Sequence, residues 1–79
     1  MEKRRVRLEI NGVVCGLITE ESDEYMQTLA GEVGEMMLEV QFASPYITRE
    51  AAALTVALSY CDDAKKNSQR RQELQDRVD

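Results

Sequence analysis

The 79 residues carry 15 acids and 10 bases, a net charge of −5, two cysteines and no histidine, which leaves room for one thin domain and removes the usual zinc constellations. A chain this short buries a modest share of its surface and is commonly completed by a metal, disulfides or a partner subunit. No stretch is long and apolar enough to span a membrane, and alternating polar residues rather than a signal-peptide core follow the basic start MEKRRVR, so a soluble cytoplasmic protein is expected.

The segment RLEINGVVCGLI, residues 7–18, reads as a β-hairpin within 4–19. Asn11-Gly12 favours a two-residue type I′ turn, because both residue types tolerate positive φ. That turn pairs Ile10 with Val13, Leu8 with Cys15 and Val6 with Leu17, so six apolar residues share one face. The other face sets Arg5, Arg7 and Glu9 against Ile18, Gly16 and Val14, and a slip of one residue would scramble the separation. Because the second face is half apolar, it too is expected to be partly covered. Cys15 and Cys61 lie far apart and form no C-x-x-C; both read as small buried hydrophobes rather than functional thiols.

A first helix is expected over 23–43. Ser22 suits the N-cap, and Asp23 and Glu24 place negative charge where the helix dipole favours it. Met26, Leu29, Val33, Met36 and Val40 recur in steps of three and four, with Ala30 and Met37 widening the stripe. Glu32, Glu35 and Glu39 ride the opposite side. Gly31 and Gly34 each cost about 1 kcal/mol of helix propensity relative to Ala, which points to tight backbone packing or to weak selection.

Pro45 breaks this helix and Thr48 caps the next, whose first part runs over 49–64. Leu54, Ala57, Leu58, Cys61 and Ala64 line one side of it, while Ala53, Val56 and Tyr60 make a second side apolar. One hairpin and one helix cannot cover both sides, and that surplus argues for self-association. From Lys65 the pattern thins to KKNSQRRQELQDRVD, where Leu74 and Val78 stand four apart. This reads as a helix running on out of a globular head (1–64) into an extended, coiled-coil-like segment (65–79), and a pattern that stops midway predicts a longer native chain. The fold class is α+β: an N-terminal β-hairpin, an amphipathic helix and a long C-terminal helix, in an obligate dimer.

Enzymatic chemistry finds no foothold. P-loop, dinucleotide-binding and nucleophile-elbow motifs are missing. Asp62 and Asp63 point in different directions on a helix and read as solvated partners of Lys65 and Lys66. Glu32, Glu35 and Glu39 lack calcium-loop spacing, and Met26, Met36 and Met37 sit at core spacing. No cofactor or metal is expected. Between Arg7 and Arg49 there is no base, while eight acids fill the gap, a poor surface for nucleic acid. What remains is a protein that works by binding.

The segments VRLEINGVVCGLITEESDEYM, LAGEVGEMMLEV and REAAALTVALSYCDD, in this order and spacing over about residues 5–65, resemble the ZapA family of cell-division proteins. The resemblance implies a non-enzymatic scaffold that binds FtsZ, the bacterial tubulin homologue, and cross-links or bundles its protofilaments at the mid-cell division ring. It also implies a homodimer of hairpin-and-helix heads, with C-terminal coiled coils able to join dimers into tetramers, and no membrane or nucleic-acid partner. Met36 and Leu38 replace basic positions of many relatives, and Val13 stands at the turn exit where some carry a base. Glu50 matches the family pattern, and Arg49 is the nearest exposed base. Asn11, Val13, Arg49 and Glu50 are therefore the FtsZ-binding candidates, and Leu54, Ala57, Leu58, Cys61, Ala64, Leu74 and Val78 the self-association candidates. Much of the roof over the hairpin is expected from the long helix, with a second subunit completing the head. The alternatives are a helical adaptor with another protein partner and a small DNA-binding dimer, the latter prompted by EKRRVR and opposed by the hairpin and the net acidity.

Overall fold

At the Asn11-Gly12 turn φ is 53° and 83°, the left-handed conformation at both central residues that a type I′ hairpin demands. The computed structural model describes the backbone of residues 2–78 and side chains through residue 68. Strands β1 (Arg4–Ile10) and β2 (Val13–Thr19) pair antiparallel, Val6 with Leu17, Leu8 with Cys15 and Ile10 with Val13. This is the register that the turn and the apolar alternation specify together.

Helix α1 (Asp23–Ala43) starts where Ser22 caps it: the Tyr25 amide donates to Ser22 Oγ at 3.1 Å and the Met26 amide to Ser22 O at 3.0 Å. Arg4 on β1 reaches Asp23 Oδ1 at 2.6 Å, tying the strand to the first turn of the helix at the surface. Its other end is closed by the Ser44 amide donating to Val40 O at 2.9 Å. Ser44 precedes a proline and leaves the helical region, as the clash with the ring requires. A tight turn follows, Ile47 amide to Ser44 O at 3.0 Å, with Pro45 in the position its fixed φ suits. Helix α2 (Arg49–Val78) then begins on Thr48, whose Oγ1 accepts from the Ala51 amide at 3.1 Å.

Two small cores hold these elements. In the first, Val6 and Leu8 of β1 pack with Met26 and Ala30 of α1, and Ile10, Leu17 and Leu29 close its margin. In the second, α2 lies against α1, burying Ala52 and Val56 on one side and Met37 on the other. The roof over the hairpin is thus α1 and not the long helix, because among the described residues α2 packs against no strand. Two apolar stripes compete for one small hairpin, and the helix that follows it through a three-residue link takes the place. The line of deepest burial on α1 also shifts: Met26, Ala30 and Met37 are buried, while Leu29, Val33, Met36 and Val40 are half-buried. It runs between the two flanks, one under the hairpin and one under α2.

Two further expectations are corrected within the single chain. The outer hairpin face is bare, with Val14 and Ile18 exposed, and Cys61 is exposed rather than buried. Cys61 faces away from the one flank of α2 that meets α1. The glycines of α1 answer to no tight packing. A Cβ at Gly31 would meet nothing within 4 Å, and one at Gly34 would rest 3.7 Å from Ile10 Cγ2, an ordinary contact.

Leu8 is 3% exposed, so Leu8→Ala should lower stability by about 2–5 kcal/mol in urea or thermal unfolding. Gly31→Ala should raise it by about 0.5–1 kcal/mol in the same measurement, because it removes backbone freedom without a clash.

Candidate functional site

Three stretches remote in sequence meet at the hairpin tip. The Asn11 side chain donates through Nδ2 to Gln41 Oε1, near the end of α1, at 3.0 Å. The Asn11 carbonyl accepts from Arg49 Nη1, at the first residue of α2, at 3.5 Å. The turn is thereby tied to both helices at the point where they diverge. Beside it opens a cleft of about 220 Å³ with walls of Ile10, Val13, Cys15, Val33, Met37 and Ala53, and with Arg49 and Glu50 as its charged lining. Asn11, Val13, Arg49 and Glu50 therefore gather at one place, with Val13, Arg49 and Glu50 exposed. Arg49 is the one Lys or Arg between Arg7 and Lys65, a single positive charge in the acidic stretch of the chain.

The second surface is on α2. Leu54 and Leu58 are 67% and 71% exposed, and Ala57, Cys61 and Ala64 are exposed as well. Every residue from Ala57 to Ser68 is exposed, so nothing in the described part of the chain covers this stripe. The remaining self-association candidates, Leu74 and Val78, have side chains outside the described residues. On the polar side of the helix, Lys66 Nζ pairs with Asp62 Oδ2 at 2.9 Å, four residues away.

Sequence reasoning passed over Gln41, whose bond to Asn11 joins residues 30 apart and has no local signal. It also passed over Phe42 and Tyr46, 91% and 100% exposed at the α1–α2 connection. There a signal existed, since Leu38 and Phe42 stand four apart on the face that also carries Glu35 and Glu39. Among the described residues no three Cys, Asp or Glu side chains converge as a metal site would need. A lone guanidinium beside an apolar cleft, and a helix with an uncovered leucine face, are means of holding another protein.

A family model described as "Cell division protein ZapA" matches residues 6–79. The chain belongs to the ZapA family of cell division proteins. A ZapA from Halalkalibacterium halodurans is 32% identical to it over 65 residues, covering 82% of this chain and 71% of the relative. Among solved structures, a ZapA mutant dimer from Geobacillus stearothermophilus aligns with a TM-score of 0.79 at 22% identity, over 99% of this chain and 91% of that one. The α+β arrangement of hairpin, α1 and long α2 is thus the fold that this ZapA protein adopts.

Asn11→Gly keeps a residue able to hold positive φ but deletes the bond to Gln41. It should lower stability by about 1 kcal/mol in urea unfolding, with the hairpin signal in far-ultraviolet circular dichroism retained.

Proposed function

We propose that this chain binds FtsZ as a homodimer and cross-links its protofilaments at the mid-cell division ring, without catalysing a reaction. Membership of a cell-division family supports the setting. The observation that carries the mechanism is the uncovered stripe Leu54, Ala57, Leu58, Cys61 and Ala64. An apolar stripe of this length on a helix that runs away from its own core is stabilised by a second copy, and a similar ZapA is a dimer. Two copies carry two hairpin tips, and two tips make the protein bivalent. Once one tip holds a filament, the second contact becomes intramolecular, and avidity rises without any new interaction surface. The tip is the proposed filament contact, and the segment beyond residue 64 the proposed route to tetramers.

Light scattering should give a mass of twice the 9.0 kDa of one chain at low concentration, rising toward the tetramer's as concentration increases. Added to polymerising FtsZ, the protein should pellet with it and increase the bundled fraction. Leu58→Glu should weaken the dimer by about thirtyfold or more, a loss of about 2 kcal/mol, and should abolish bundling while sparing much of the single-head binding. FtsZ sedimentation unchanged over a wide concentration range would refute the reading.

A further inference from the structure

We propose that Gly12 and Arg49 act as one unit, a carboxylate receptor at the hairpin tip that takes an acidic side chain of the filament partner, whose apolar neighbour enters the adjoining cleft. This rests on the FtsZ-binding reading above and names the chemistry of that contact. Gly12 has φ at 83°, which already favours glycine. Its second property concerns a residue 37 positions away. A Cβ on Gly12 would lie 2.7 Å from Arg49 Nη1, closer than carbon and nitrogen approach without displacement. The guanidinium stands in the space that glycine leaves open.

What holds Arg49 there is that fit and one long bond to the Asn11 carbonyl, 3.5 Å. A guanidinium carries five N–H donors in a fixed fork, so most of its bonding capacity is unspent. Among the described residues Arg49 forms no ion pair; the pairs made are Arg4 with Asp23 and Lys66 with Asp62. An exposed arginine with its fork open matches a carboxylate in a way that a lysine does not. Next to it, the cleft of about 220 Å³ walled by Val13, Val33 and Ala53 is smaller than the 300–1,000 Å³ usual for small-molecule sites, and suits a side chain. Glu50, on the same lining, repels an acid placed on the wrong side of Arg49 and so sets the register of the contact.

The test is co-sedimentation of the full chain with FtsZ polymers, with a thermal melt of every variant. Arg49→Glu should weaken binding by about tenfold or more, and Arg49→Lys should restore only part of the loss. Gly12→Asn keeps a residue that tolerates positive φ but fills the guanidinium's place. It should weaken binding by no more than Arg49→Ala does, because Nη1 is the free end of a flexible side chain. The double variant should lose no more than Arg49→Ala alone, because both act on one interaction. Additive losses would overturn the coupling of Gly12 to Arg49. Wild-type binding with Arg49→Glu unchanged would overturn the receptor and leave the FtsZ reading standing, whereas no wild-type binding would remove both. Should Gly12→Asn melt below the assay temperature, the comparison of Arg49→Glu with Arg49→Lys decides the receptor.

Discussion

Val6 and Leu8 on β1 meet Met26 and Ala30 on α1, and this contact determines where every other element can go. A two-stranded hairpin has little stability alone in water, and here it has one apolar face to offer. Once α1 covers that face, α2 is left with the far flank of α1, where Ala52 and Val56 fit against the side that carries Met37. The Pro45 turn and the Thr48 cap then turn the chain back over a few residues. Arg49 thereby starts α2 beside the hairpin tip, and the tip cleft is the seam where the three pieces fail to close fully.

The same arrangement leaves α2 mostly outside the head. The radius of gyration is 16.0 Å, against about 11.6 Å for a globular chain of this length. Surface that would be core in a rounder molecule is displayed as a stripe along one helix. The buried side of α2 consists of Ala52, fully enclosed, and Val56. The large side chains, Leu54 and Leu58, are kept for the opposite side. These two leucines share the outward side with the small Ala57, Cys61 and Ala64.

Local chemistry made much of this fold legible. The Asn11-Gly12 turn and strict alternation specify the register without reference to the rest of the chain, and the Ser22 and Thr48 caps mark their helix starts by residue type. Periodicity failed at the next level, where one apolar stripe must choose between partners. It predicted the long helix as roof because both helices offered a face, whereas the short link from Thr19 to Asp23 decides for α1. Cys61 was misread for the same reason: an apolar stripe looks buried whether its cover is its own chain or another. At the tip, family resemblance brought Asn11, Val13, Arg49 and Glu50 together, but the bond to Gln41 and the guanidinium over Gly12 depend on long-range placement that spacing does not encode.

Each element packs on those next to it in the sequence: β2 on β1, α1 on the hairpin, α2 on α1. The first core is complete in covalent order by Ala30, before any residue of α2 is needed. Contacts of short sequence separation form quickly, so the order in which a ribosome releases this chain is also the order in which its parts find their neighbours. The head can close behind its own synthesis, and the leucine stripe of α2 follows onto a hairpin core that is already formed.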